Sequence, residues 1–233
     1  EHVAFLHLSA RAMRAAAQAE GGHPALARLR NCAADLRIWL LIGSLTVTLG
    51  DQLANRSYLI APSGQIAARY DKIHMFDTVL PSGRVIRESR HYRPGTSACV
   101  ATTPLGRLGL SVCYDLRFPQ LYRALAIAGA HVLMVPSAFT APTGEAHWHS
   151  LLRARAIECG AYVIAPATCG THPGDHATYG HSLIVDPWGA IVAEASDAPG
   201  EIAATIHSAA VARARERIPS LWHDRPFQVG GGM

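Results

Sequence analysis

The stretch GLSVCYDLRFPQLY, residues 109–122, decides how the rest of the chain is read. The run just before the cysteine, LGLSV at 108–112, is apolar and of strand length, and Pro119 opens a helical pattern over 121–128. Cys113 therefore falls at the end of a strand, in the turn before a helix. A sulfur at such a point is exposed, and the free backbone N–H groups beside it can hold an oxyanion. A helix N-terminus and a neighbouring cation also favour the thiolate. The same local sequence fits a buried structural cysteine equally, which is what most lone cysteines are.

Outward from this stretch, strands alternate with helices. Upstream, 10–20 reads as an Ala-rich helix stopped by Gly21-Gly22, and Pro24 opens a second helix to about Asp35. Residues 38–49 read as a buried strand, and 56–61 and 65–70 as strands joined by Pro62-Ser63-Gly64. Residues 98–103 and 108–112 pair through Pro104-Leu105-Gly106. Downstream, 131–135 is a short apolar strand and 146–159 a long helix. Residues 162–167, 182–185, 191–195 and 201–206 read as strands, with a turn at Asp186-Pro187-Trp188-Gly189, and 209–217 as a last helix. This order predicts a layered α/β fold with its helices outside. No repeat, low-complexity segment or linker interrupts it, so residues 1–233 read as one domain.

Composition narrows the class. Hydrophobic residues make up 49% and charged residues 16%, which excludes a disordered chain. No apolar run approaches the roughly 18 residues of a membrane helix, so no membrane partner is expected. The net charge of +4 is mild and the arginines are scattered, which argues against nucleic acid. The five cysteines, at 32, 99, 113, 159 and 169, form no CxxC pair, and no secretory signal is present. A reducing, cytoplasmic setting is expected. The sequence starts at Glu1 without a Met, so a segment upstream is expected to be missing.

The thirteen histidines raise a metal reading. His172, Asp175, His176 and His181 lie close in sequence, in and after a Gly/Pro-containing loop. His147 and His149 are two apart on a helix, which turns their side chains to different faces. No metal site is expected from either group. Trp148 and Trp188 read as packing residues.

Lys72, Glu88 and Glu1 are each unremarkable alone, since a single charged residue is normally a solvated surface group. Together with Cys113 they form a set. YDKIHMFD at 70–77 resembles the lysine motif of the nitrilase superfamily, and residues 109–122 resemble its nucleophile motif. PSAF at 136–139, AHWHSLLRARAIE at 146–158 and YGHSLIVDPWG at 179–189 resemble further motifs in the same order. The Glu88-Ser89 pair resembles the second glutamate of that family, and EHVAF at 1–5 resembles the segment that begins at its catalytic glutamate. The similarity runs from Glu1 to about Arg225.

The resemblance implies a four-layer αββα sandwich, here apparently lacking its first strand–helix–strand unit. It implies a homodimer or higher homo-oligomer, and a cofactor-independent amidase with Glu1, Lys72, Cys113 and Glu88 as the catalytic set. Glu1 would be the general base, Cys113 the nucleophile through a thioester, Lys72 and the Tyr114 N–H the oxyanion donors, and Glu88 the partner that positions Lys72. Tyr114, Arg117, Phe139 and His147 would face the substrate, with Arg117 near its carboxylate. The motifs fit best the branch that cleaves small carboxylate-bearing amides to acid and ammonia, of the deaminated-glutathione or omega-amidase type. Other superfamily reactions, such as N-carbamoyl amino acid or other aliphatic amide hydrolysis, use the same four residues. A non-catalytic binding protein on this scaffold is the reading of a different class.

Overall fold

Two sheets are set by short, sharp turns. The computed structural model describes residues 1–4, 6, 10–80, 82–174 and 176–230. After helix α1 (Ala10–Ala16), helix α2 (Pro24–Leu36) starts with Pro24 in its first turn, and His23 Nδ1 accepts a hydrogen bond from the Leu26 N–H. Strand β1 (Leu40–Leu49) returns through Gly50-Asp51 as β2 (Gln52–Ile60), and β3 (Ile66–Asp71) completes an antiparallel three-stranded sheet. Gly64, between β2 and β3, has φ +76° and sits against α2, where a Cβ would come within 3.0 Å of the Arg30 carbonyl oxygen.

Strands β4 (Asp77–Val79) and β5 (Val85–Arg87) form a small hairpin. Strands β6 (Cys99–Thr103) and β7 (Gly106–Leu110) lead to the nucleophile stretch, and α3 (Pro119–Ile127) to β8 (Val132–Met134). Helix α4 (Ala141–Cys159) precedes β9 (Tyr162–Ala165), the hairpin β10 (Cys169–His172) and β11 (His176–Tyr179), then β12 (Leu183–Val185), β13 (Ile191–Glu194) and α5 (Ser208–Arg217). The second sheet has six strands in the order β13-β12-β9-β8-β7-β6, with β7, β8 and β9 parallel.

Packing makes four layers. Leu26 and Ala33 of α2 bury against Ile42, Leu45 and Val47 on one face of the first sheet. Leu59 and Tyr70 of that sheet join a larger cluster with Leu110, Leu133 and Val163 of the second sheet. Trp148 and Leu152 of α4 and Tyr122 of α3 are fully buried in the same cluster. The order is thus helix, sheet, sheet, helix, as the resemblance implies. Among the described residues no helix is long and apolar enough to cross a membrane.

Several sequence expectations are corrected. The first helix ends at Ala16, and Gln18 makes a bridge to Val47 instead. Helix α4 starts five residues before position 146: Pro142 stands in its first turn, where proline is favoured, and Gly144 is buried against Tyr179. A Cβ at Gly144 would overlap the Tyr179 side chain. Residues 201–206 form no regular element and join no sheet among the described residues, and only Ile202 and Ile206 are even partly covered. Trp148 does pack in the core, whereas Trp188 is 55% exposed at its turn. The β4–β5 and β10–β11 hairpins fall in stretches without a strand signal, since strands of three or four residues carry too little periodicity.

Candidate active site

The turn after β7 holds Cys113 in an uncommon backbone state. Its φ is +49°, in the left-handed region that a non-glycine residue seldom occupies. Such strain persists only where the surroundings fix it. Here the Cys113 N–H donates to the Pro136 carbonyl (2.9 Å), and Asp115 folds back so that Oδ2 accepts from the Val112 N–H (2.9 Å). Asp115 is fully buried and also accepts from the Tyr70 hydroxyl (2.7 Å) and the His74 N–H (3.0 Å). His74 Nδ1 lies 2.7 Å from Asp115 Oδ1. The carboxylate therefore ties the turn to the end of β3, which carries Lys72.

Lys72 is only 2% exposed. Its Nζ donates to Glu1 Oε1 (2.7 Å) and to Glu88 Oε1 and Oε2 (3.0 and 2.9 Å). Glu1 Oε1 also accepts from Asn55 Nδ2 (2.8 Å), and Glu1 Oε2 from the Ala138 N–H (3.1 Å). Glu88 Oε2 accepts from the Phe76 N–H (2.6 Å). Two carboxylates thus share one ammonium, with backbone and amide donors filling the remaining acceptor sites. A buried charge cluster stands only when its groups are paired in this way.

The electrostatics follow from that sharing. Burial works against the Lys72 charge, but Glu1 and Glu88 outweigh it and hold the ammonium well above its ordinary value. Burial alone would raise the Glu1 carboxyl; Lys72, with help from His2, overcomes this and holds it well below the usual range. Burial raises Glu88, the attraction of Lys72 only partly offsetting it. Burial and then the Glu1 carboxylate push the Cys113 thiol well above its ordinary value, against the pull of Lys72. The lowest-energy arrangement is therefore a neutral thiol beside an ionised Glu1, a charged Lys72 and a fixed Glu88.

Cys113, Glu1, Lys72 and Glu88 all line one cleft of about 360 Å³, so the four residues of the sequence expectation come together. Tyr114, Arg117 and Phe139 line a separate hollow of about 20 Å³ on which Cys113 also opens. Arg117 sits over the Phe139 ring at 5.4 Å, and its guanidinium meets His147 Nδ1 at 3.3 Å. His147 itself is exposed and lines neither cavity.

Sequence reasoning missed Asn55, Asp115 and the Ala138 N–H. Asn55 stands beside Gln52, Arg56 and Ser57 in β2, so nothing in the strand singled it out. Asp115 stands inside the quoted stretch, but its partners arrive from β3.

The structure regroups the histidines across their sequence spacing, and His149, His181 and Glu194 bring ligand atoms close enough together for an ion. His172 and His176 face each other at 6.1 Å, while His181 stacks on Tyr179 and meets Glu194 with His149. Asp175 lies outside the described residues. Glu1, His2 and Glu88 bring ligand atoms close enough for an ion, but the Lys72 ammonium already occupies the carboxylates.

Comparison with known proteins agrees with fold and motifs. The sequence profile of the Carbon-nitrogen hydrolase family matches residues 5–216. The deaminated glutathione amidase of Yersinia enterocolitica is 41% identical over 227 residues, covering 95% of this chain and 79% of that protein. The C. elegans NitFhit protein superposes with a TM-score of 0.85 at 37% identity, over 97% of this chain and 55% of that one. The amidase of Nesterenkonia sp. AN1, from the nitrilase superfamily, superposes with a TM-score of 0.66 at 30% identity, over 83% of this chain and 67% of that one. A mutant of that amidase carries the acetamide moiety of fluoroacetamide on its active-site cysteine. An αββα sandwich with these motifs is the architecture of the nitrilase superfamily. This chain belongs to the carbon-nitrogen hydrolase family, whose members hydrolyse amide and related C–N bonds.

Proposed function

We propose that the chain is an amidase for carboxylate-bearing amides of the deaminated-glutathione type, with Cys113 as its nucleophile. The observation that carries this reading is the buried Lys72 ammonium bonded to both Glu1 and Glu88, on the same cleft as Cys113. Glu1, ionised and lining the same cleft, takes the Cys113 proton as sulfur attacks the amide carbon. The proton moves with the attack, because thiol and carboxylate are far from matched at rest. Lys72 and the Tyr114 N–H receive the oxyanion, while the neighbouring Cys113 and Asp115 amides are engaged by Pro136 and Val112. Protonated Glu1 then gives its proton to the leaving nitrogen. Ammonia leaves from a primary amide, and an amine from a secondary amide such as deaminated glutathione. Glu1 finally activates water against the thioester. Glu88 holds Lys72 charged and in place. No step calls for a metal or organic cofactor.

The experiment is a product assay of deaminated glutathione and a panel of acid amides against the protein and Cys113→Ala. Release of acid by the first and not the second supports the reading. Equal rates in both would end it.

A homodimer fits one surface feature. Ile157 of α4 lies against Gly189 and is exposed, as is the neighbouring Trp188, apolar side chains of the kind copies bury. The cysteines among the described residues are free thiols, which is in keeping with a cytoplasmic setting.

A further inference from the structure

The two short hairpins that leave no signal in the sequence form walls of the cleft. Arg84 lies in the connection between β4 and β5, Arg87 ends β5, and Arg90 comes three residues later. His176 opens β11. Arg84 Nη1 donates to the Gly174 carbonyl at 3.4 Å, so the two hairpins meet at the cleft. The carboxylates among the described lining residues are Glu1 and Glu88, and both are bonded to Lys72. Three arginines thus line a cleft whose two carboxylates are already engaged. Arg87 and Arg90 are exposed, whereas Arg84 is half-buried beside His176, which is only 7% exposed. Burial first, and then the nearby Arg84 guanidinium, hold the His176 pKa below its ordinary value. A neutral imidazole there can donate to an anion without competing for charge. A half-shielded guanidinium binds a carboxylate more strongly than one in water. The cleft, at about 360 Å³, falls within the range of about 300–1,000 Å³ that holds extended small molecules.

We propose that Arg84, with His176 beside it, receives an anionic group of the substrate remote from the scissile amide, so that the enzyme selects extended acid amides over short or neutral ones. This rests on the reading of the cleft as the amide site, and assigns a specificity role to residues outside the catalytic set. Arg117 lines the small hollow beside Cys113 and not this cleft.

The test compares deaminated glutathione with two derivatives, each carrying one carboxylate as a neutral carboxamide, for the wild-type protein, Arg84→Gln and Arg84→Lys. One derivative should show a KM at least about tenfold higher with wild-type protein, the usual cost of a lost charged hydrogen bond. Arg84→Gln should raise the KM of the parent acid by about the same factor, with kcat unchanged, and leave that derivative unaffected. Arg84→Lys should recover part of the loss. Equal losses on all three compounds would mean that Arg84 only braces the hairpins, and would overturn the proposal. Calorimetric binding to Cys113→Ala provides a readout independent of turnover. The same discrimination in binding, without hydrolysis by the wild-type protein, would leave anion recognition standing and remove the amidase reading. Hydrolysis without discrimination would do the reverse.

Discussion

Tyr70 and Asp115, 45 residues apart, are joined by a 2.7 Å hydrogen bond in which the buried Tyr70 hydroxyl donates to Asp115 Oδ2. Tyr70 stands two residues before Lys72, and Asp115 two after Cys113. With the His74 contacts to Asp115, this bond ties the segment of Lys72 to the turn of Cys113. Burial, then the Asp115 charge, keep the Tyr70 phenol protonated far above its ordinary range, so it remains a donor. Tyr70→Phe should cost about 1–3 kcal/mol of stability by leaving one Asp115 lone pair unmet. It should also lower kcat at a temperature where the variant is fully folded. Denaturant unfolding together with kcat measures both, and an unchanged kcat would show that the turn is fixed without this bond.

Cys113 should be the residue on which amide-like alkylators remove activity. Its thiol is buried and its pKa raised, so simple exposure favours Cys32 instead. Fluoroacetamide, which fits an amide site, should add to the Cys113 peptide in step with inactivation, as read by mass spectrometry. Activity lost with Cys113 unmodified would contradict the assignment. Cys113→Ser should be nearly inactive, because a hydroxyl is much harder to deprotonate than a thiol.

Lys72→Ala should lower kcat by about 10²–10³-fold, the cost of one oxyanion donor. It also leaves Glu1 and Glu88 facing each other without a cation, so stability should fall by about 3–5 kcal/mol. Glu88→Gln keeps an acceptor for Lys72 and should be milder in unfolding while still reducing kcat. If Lys72→Ala raises KM and leaves kcat alone, Lys72 is a binding residue.

Asn55 donates to Glu1 Oε1 at 2.8 Å and touches no bond that forms or breaks in the proposed reaction. Asn55 is expected to orient Glu1 as the proposed base. Asn55→Ala should reduce kcat by about 10–100-fold, in line with loss of a hydrogen bond to a charged group, with little change in KM. The pH–rate profile should shift as well, because Glu1 loses a donor that favours its ionised form. A fall in kcat with an unmoved profile would indicate a purely structural role.

His23 caps α2 through an unprotonated Nδ1, and burial holds its pKa below 6.5. A depressed histidine favours the folded state above the unfolded pKa, and that contribution is lost as pH falls from about 6.5 through the folded value. His23→Asn supplies a cap that does not titrate. The variant should therefore lose less Tm than wild type between pH 7 and pH 5. Parallel Tm curves for the two proteins would remove His23 from the acid response.

The sequence by itself determined the layered fold, the strand–turn–helix around Cys113 and the four residues proposed to act with it. These were readable because the core strands and helices have strong local periodicity, and because Cys113 and Lys72 sit in long motifs of fixed order with the Glu88-Ser89 pair between them. Tertiary structure alone decided what those residues touch. Asp115 and Asn55 matter through partners 45 and 54 residues away, and such pairings leave no mark on local sequence. The β4–β5 and β10–β11 hairpins are too short to show a period, yet they wall the cleft and bring Arg84 to His176. Residues 201–206 have the composition of a strand but join no sheet among the described residues, since propensity alone does not make a ladder. Trp188 has the side chain of a core residue, but the turn between β12 and β13 carries it outward.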